Sequence, residues 1–458
     1  MRASIWAILL TLAAPAVAQT ASSRVPAPAG STVIVSTFEG NRGPGWKQTA
    51  DISGAVGPKH AVSLDAGGFT VFDKATGKAL RHLSPREFWH GVEPTNSLDP
   101  RTDPNDPKII YDPLSQRWFA TCAGNAGAAD SFLAVSSGPD PTQPWKGVML
   151  PVPKGDPGMV LGVDKNGLYI CSHNGSPSSA DAMNCLVIPK ADAIAPGGPV
   201  LASARTFPKL TFAAYPAMDL DPGKPADAPA VILNNEFEAD TPGCGKLYLY
   251  RVTWAGRKAS ISGAQVIKLS KVYHTSRQMD CLQPGPGPRL RSDSGRRTSS
   301  VVACRGSVFG CHSAKLRPES RVGIVWYEVR VRDGALLQEG FIDDPKRDYL
   351  YPSLALDSQG NLGLGCTRTS ETEFPSVCVM MRAAGDPPGI LRPPVVAVRG
   401  TTSYRYPGVA AANWSHYSST VPDPSDPGLL WTYQAYSNSE VEKQWCAAWA
   451  SFRLGQQP

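Results

Sequence analysis

Apolar positions along this chain fall in short runs, many alternating with polar ones, and helical spacing is almost absent. Runs at 32–38, 69–72, 117–122, 132–136, 168–171, 230–233, 246–252, 323–331 and 429–433 are β-rich and bounded by Asp, Asn, Gly or Pro. That is the pattern of strands closed by turns. One unit recurs: an apolar strand ends in Asp, turns, and re-enters a second strand. Ile109-Ile110-Tyr111-Asp112 precedes Arg117-Trp118-Phe119, Gly162-Val163-Asp164 precedes Gly167-Leu168-Tyr169, and Ser353-Leu354-Ala355-Leu356-Asp357 precedes Gly360-Asn361-Leu362. The Asp side chain closes such a turn on nearby backbone N–H groups, and Gly supplies positive φ.

Divided this way, the chain gives seven units, at 50–91, 108–153, 156–206, 210–271, 278–345, 347–400 and 404–454. Four strands per unit at a period of roughly 40 to 65 residues predicts an all-β, seven-bladed β-propeller, with six or eight blades left open. The last unit lacks an outer strand, and the strand at 32–38 is expected to supply it and close the ring, leaving no open seam. Two β-sandwich domains would show a composition break or linker near mid-chain, and there is none. The expected organisation is a signal peptide at 1–18, an N-terminal segment with the ring-closing strand at 19–49, and one propeller domain at 50–458.

Composition sharpens this picture. The 458 residues include 43 Gly, 43 Pro and 11 Trp, and 42% are hydrophobic. Coiled coils and long helices are excluded by the Gly and Pro, and disorder by the apolar content. Arg2, the apolar run at 5–14 and Ala16-Val17-Ala18 form the three zones of a secretory signal, with cleavage after Ala18. The run is too short for a span of about 20 residues, so a secreted or periplasmic monomer with no membrane span is expected. Loss of Arg2 takes the formal net charge from +6 to +5, a weak field for a chain of this length. Arg289, Arg291, Arg296 and Arg297 cluster without interleaved aromatics, so no nucleic-acid partner is expected.

Ten cysteines on an exported chain predict disulfides, with Cys171–Cys185 and Cys366–Cys378 favoured by strand spacing, ahead of Cys304–Cys311 and Cys244–Cys281. No C-x-x-C pair or closely spaced His accompanies them, so no metal and no cofactor are expected. The Asp-rich stretch 103–106 could take calcium but reads as a simple turn.

Several segments also resemble a family of exported bacterial sialidase-like β-propeller proteins, most of them uncharacterised. The resemblance runs from Gly54-Ala55-Val56-Gly57-Pro58-Lys59-His60 and Val71-Phe72-Asp73-Lys74-Ala75-Thr76-Gly77 through Tyr111-Asp112, Arg117-Trp118 and Leu133-Ala134-Val135-Ser136. It continues through Trp326-Tyr327-Glu328-Val329-Arg330 and Tyr351-Pro352-Ser353 to Asp423-Pro424-Ser425-Asp426-Pro427 and Trp431-Thr432. It implies fold and export rather than chemistry. Where family members often carry Arg-Trp-Gly-Asp-Tyr-Ser, this chain reads Asn413-Trp414-Ser415-His416-Tyr417-Ser418, so His416 replaces an acid. A Glu of the family pattern is replaced by Gln434 or Ala435.

The resemblance does not extend to sialidase chemistry. The best Asp-box candidate, Ser63-Leu64-Asp65-Ala66-Gly67, lacks the Thr-Trp spacing, and the Arg-Ile-Pro signature is absent. For glycoside hydrolysis the candidate acids are Asp219, Asp221, Glu236, Glu238 and Asp280. Alternation puts Glu236 and Glu238 on one side of a strand, although solvated loop acids would read the same. For a polysaccharide lyase the candidates are His173, His312, and His416 with Tyr417, near strand ends of different units; structural histidines would look alike here. Nucleophile-elbow, zinc-helix, phosphate-loop and dinucleotide motifs are absent. The leading expectation is a propeller that binds an extracellular glycan or cell-envelope ligand at its central face. Asn234, Asn235 and Arg368 would supply polar contacts, and Tyr404, Tyr406, Trp414, Tyr417 and Tyr436 the stacking surfaces. The alternative is a carbohydrate-active enzyme, hydrolase or lyase, using acids or His at the axis.

Overall fold

The computed structural model describes residues 30–455 apart from 44–48, 94–104, 125–130, 153–157, 174–182, 212, 237–242, 277–278, 286–288, 293–298, 407 and 439–443. The expected signal peptide, Glu238, Arg296 and Arg297 lie outside the described residues. Among those described, strands dominate, and the only helices are the short segments Pro85–His90 and Lys190–Ala193. No helix among them is long and apolar enough to cross a membrane.

Seven antiparallel sheets follow one another along the chain. Sheet I spans 54–83, II 105–150, III 160–210, IV 215–273, V 300–342, VI 347–398 and VII 419–454. Sheets I to III, V and VI each pair four consecutive strands in order. In sheet IV the long strand Cys244–Ala255 pairs with Lys258–Ile261 near one end and with Gln265–Tyr273 near the other. Sheet VII has three consecutive strands and takes its fourth from the other end of the chain: Thr32–Arg42 pairs with Cys446–Leu454. The units read from sequence therefore coincide with the sheets, with one difference. Strands Met279–Cys281, Arg289–Ser292 and Ala411–Asn413, placed in the fifth and seventh units, form a separate three-stranded sheet, with Arg289–Ser292 parallel to Ala411–Asn413.

Each strand reads as apolar on both sides because its alternate residues face two different neighbours. Leu186 and Ile188 join the cluster between sheets II and III, while Cys185 and Val187 join the one between III and IV. Similar clusters fill the I/II and V/VI contacts. Burial on two faces gives near-continuous hydrophobic runs. The first strands of the sheets touch one another in order, from sheet I through sheet VII, and Ser419–Pro422 of sheet VII touches Gly54–Val56 of sheet I. In sheets III to V these contacts are backbone bridges, Val163 to Met218 and Met218 to Val302. Elsewhere hydroxyls make them. Ile109 N donates to Ser53 Oγ (2.9 Å), Gly54 N to Ser419 Oγ (2.9 Å), and Ser353 and Thr420 share a 2.7 Å bond.

The Asp turns form as the sequence predicts. Asp112, Asp164, Asp357 and Asp423 each accept backbone N–H bonds at the end of a first strand. Three of them also meet a lysine from the next sheet in order. Asp112 pairs with Lys190, Asp164 with Lys224 at 2.7 Å, and Asp423 with Lys74 at 2.8 Å. The last pair joins sheet VII to sheet I.

A second junction holds the N-terminal strand. Asn41 donates to Asp65 Oδ1 (2.9 Å) and Tyr433 OH donates to Asp65 Oδ2 (2.7 Å). Burial raises the Asp65 carboxyl to about 7, against the hydrogen bonds from Tyr433 and Asn41 that favour the ionised form. A carboxyl whose pKa is higher folded than unfolded binds more protons in the native state, so stability falls as pH rises from about 4 to about 7. The Asp65→Asn variant is expected to lose this component. Urea midpoints at pH 5 and pH 8 measure it, and an unchanged difference between the two pH values would refute it.

All ten cysteines are free thiols, which corrects the disulfide expectation. Cys171 lies directly opposite Cys185, and Cys366 opposite Cys378, so the spacing argument found the right neighbours. Neighbouring positions do not by themselves make a bond. Cys304 and Cys311 are not opposed at all: the hairpin register puts Cys304 across from Ser307 and Cys311 across from Ser300.

Candidate functional site

The first strands surround a cavity of about 510 Å³, lined from all seven sheets. Between its ends the lining is largely apolar, with Ile109, Leu161, Met218, Val301 and Val421. Its two ends differ. Asp221, Arg305, Asp357 and Asp423 line the end where the Asp turns lie; Ser53, Lys108, Ser299, Tyr417 and Ser418 line the upstream end, where the first strands begin.

Three ionisable side chains meet at the upstream end, next to the lining residues Ile52, Lys108 and Tyr417. Asp51 precedes the first strand of sheet I, Asp106 opens that of sheet II, and His416 precedes that of sheet VII. One ligating atom from each lies within 4.8 Å of the other two. His416 Nδ1 is 2.8 Å from Asp51 Oδ1. Both acids are nine-tenths or more buried, whereas the His416 side chain is 32% exposed. The backbone is unusual as well, with φ of 48° at Asp51 and 45° at Asp106. Left-handed geometry costs a non-glycine residue about 1–3 kcal/mol and persists only where surrounding structure holds it. Here it aims two carboxylates from adjacent sheets at one point. Lys108 Nζ lies over the Tyr417 ring, filling that face with a cation.

Of the described residues singled out from sequence, Tyr417 lines this end of the cavity and its neighbour His416 joins the ionisable cluster; the others do neither. Glu236 is buried and binds its own hairpin, with Oε1 2.5 Å from Lys246 Nζ and Oε2 accepting from Gly245 N at 3.0 Å. Asn234 accepts from Thr211 Oγ1 at 2.9 Å, and Asn235 donates to Glu236 O at 3.3 Å. Asp219 is paired with Lys224, and Asp280 lies 3.6 Å from Arg291 on the small sheet. Asp221 lines the turn end of the cavity. His173 ends the second strand of sheet III, its ring so close to Gly158 that a Cβ there would lie 2.4 Å away. His312 is fully buried with neither ring nitrogen hydrogen-bonded, and burial lowers its pKa to about 3. It is neutral at physiological pH and far from the titration range of a general base.

The aromatic residues expected as stacking surfaces are mostly core. Trp414 is fully buried, donates to Thr367 Oγ1 at 3.1 Å and meets Tyr404 edge-on at 5.1 Å. Tyr404 is held by Gln283 through both backbone groups, and Tyr406 packs on the same cluster. Tyr436 is buried with its hydroxyl on Glu39, and Arg368 is spent on Glu373 at 2.6 Å.

No protein-family description and no curated protein matches the chain. Solved structures resemble it only distantly. A lignostilbene dioxygenase from Pseudomonas brassicacearum aligns over 79% of this chain and 74% of its own, at 10% identity and a TM-score of 0.41. An α-L-arabinofuranosidase from Fusarium graminearum aligns over 79% and 96%, at 10% identity and TM-score 0.38. An exo-β-1,3-galactanase from Phanerochaete chrysosporium covers 93% and 97%, at 10% identity and TM-score 0.33. Likeness at this level assigns neither family nor chemistry.

Asp51 and Asp106 were missed by sequence reasoning, Asp106 having been absorbed into a turn. A signal existed. Both acids lie just upstream of the apolar run that opens their unit, the place His416 takes in the last unit. Counted back from Gly57, Asp112 and Asp423, where the first strands turn, the three lie six, six and seven residues upstream, so superposed units would have brought them close together.

Proposed function

We propose that the protein is an exported seven-bladed β-propeller that binds an extracellular glycan or cell-envelope ligand at the upstream end of its axis. Closure of the seven sheets into a ring is supported by the order of contacts among the first strands and by the pairing of Thr32–Arg42 with Cys446–Leu454. The observation that carries the ligand site is the meeting of Asp51, Asp106 and His416 next to Ile52, Lys108 and Tyr417, which line the upstream end of the cavity. Carboxylates held in a sheltered concavity are strong acceptors for sugar hydroxyls, and converging polar groups beside an apolar wall are the usual makings of a binding site.

The second reading, a carbohydrate-active enzyme, is favoured by one feature of the same cluster. Asp51 holds His416 Nδ1 at 2.8 Å, the arrangement of a base oriented by a carboxylate. Asp106 adds a carboxyl within 4.8 Å, closer than the roughly 5–9.5 Å of glycosidase carboxyl pairs, so the cluster suits His-based proton abstraction, as in a lyase, better than hydrolysis.

A panel of purified glycans and cell-envelope fragments, scored for both retention and product release, tests the two readings. Retention by the wild type, weakened by about tenfold or more in Asp106→Asn, is expected from the loss of a charge-assisted acceptor. Product release that disappears in both Asp106→Asn and His416→Gln would favour the enzyme. Neither retention nor release across the panel would refute both.

A further inference from the structure

The geometry points to a binding site for one divalent transition-metal cation formed by Asp51, Asp106 and His416. It rests on the ligand site proposed above and names the cofactor of that site. The donor set is two carboxylate oxygens and one imidazole nitrogen, all within 4.8 Å of one another. Around a tetrahedral ion with ligands at about 2.1 Å, neighbouring donors stand about 3.4 Å apart, so the 2.8 Å hydrogen bond between His416 Nδ1 and Asp51 Oδ1 would open by about half an ångström and give up its proton to admit the ion. Asp106 supplies the third donor from within 4.8 Å of both.

Imidazole favours zinc or iron over calcium, which prefers six or more oxygens, and the two carboxylates also admit manganese. Three protein donors leave coordination positions open, the mark of a site that meets a ligand rather than one that only braces the fold. The chain neighbours Ile52, Lys108 and Tyr417 line the cavity, which puts the triad close behind its wall. Two buried carboxylates this close repel each other, and a divalent cation between them would offset that repulsion. Each acid comes from a different sheet, so an ion would also tie sheets VII, I and II together at one end of the axis.

The test uses the full mature chain, stripped with EDTA and dialysed, then titrated by calorimetry with Zn²⁺, Mn²⁺ and Ca²⁺ separately and with no glycan present. One Zn²⁺ or Mn²⁺ per chain is expected, bound more tightly than Ca²⁺. Asp106→Asn and His416→Gln are each expected to weaken uptake by about a hundredfold, as loss of a ligand weakens a site at least as much as loss of its supporting hydrogen bonds. Circular dichroism of the stripped variants checks folding. If Asp106→Asn fails to fold, His416→Gln carries the test, because that side chain is partly exposed. No uptake of either transition metal, preference for Ca²⁺, or unchanged uptake in a folded variant would overturn the inference. Running the glycan panel on stripped and loaded protein separates the two claims. Glycan retention without metal uptake leaves the ligand reading standing and sinks the metal, whereas stoichiometric uptake with no glycan retained does the reverse.

Discussion

A chain lacking residues 30–43 is expected to lose cooperative folding and to aggregate at concentrations where the whole chain is monodisperse. The segment removed includes Thr32–Arg42, whose eight register partners lie on Cys446–Leu454. Backbone hydrogen bonds are worth about 1 kcal/mol each net, and a half-buried Phe such as Phe38 about 1 to 2 kcal/mol, part of what full burial gives. Phe38 packs against Phe72, Trp431 and Trp449, so its burial is lost together with the strand. Asn41 is lost too, leaving the buried Asp65 without one of its donors. Together these match the whole stability of an ordinary domain, about 5–15 kcal/mol. The strand Cys446–Leu454 would also become an open edge, a template for pairing with other chains. Urea unfolding followed by Trp fluorescence, with light scattering, measures both effects. A truncated chain that unfolds at the wild-type midpoint would show that the strand is dispensable.

The Lys224→Met variant is expected to cost about 3–5 kcal/mol, the penalty for leaving buried charge uncompensated. Lys224 Nζ lies 2.7 Å from Asp164 and 2.8 Å from Asp219, and all three side chains are largely buried. Burial works against the ammonium, but the two carboxylates outweigh it and raise the Lys224 pKa. Burial raises the Asp219 pKa, with Lys224 opposing it. Methionine keeps the stem packing and deletes the charge, so the two acids face each other unscreened. Adding Asp164→Asn to Lys224→Met should recover part of the loss, whereas Asp164→Asn alone leaves Lys224 its second partner and should cost less than Lys224→Met. Equilibrium unfolding of the three variants at pH 7 forms the test. Strict additivity between the two positions would mean that the ion pair contributes no coupling.

Much of the fold was legible because its signals are local. The Asp that ends a strand binds backbone N–H groups within four residues, so Asp112, Asp164 and Asp357 announce their turns in any window that contains them. The same chain neighbourhood does not contain Lys190, Lys224 or Lys74, which reach those turns or their relatives from the following sheet. Cysteine spacing likewise located Cys171 opposite Cys185, since a hairpin's register is local, but register alone does not bring two sulfurs to bonding distance.

The candidate site behaved in the opposite way. Glu236 and the aromatic set were chosen because their residue types suit carbohydrate chemistry, and the fold used them for hairpin ties and core packing instead. Side-chain type says what a residue can do; burial and neighbours decide which of those things it does. His416 was found because it departs from a familiar local pattern, while Asp51 and Asp106 carried no local oddity.

From the sequence alone came an all-β chain with seven repeating units and an N-terminal strand left over for the seventh. These follow from period-two patterning and turn chemistry, which act over a few residues. Tertiary structure alone decided that positions 51, 106 and 416 share one point, within 4.8 Å, although up to 365 residues separate them along the chain. Their meeting depends on how the sheets pack against one another, a property of the whole chain that no local window contains.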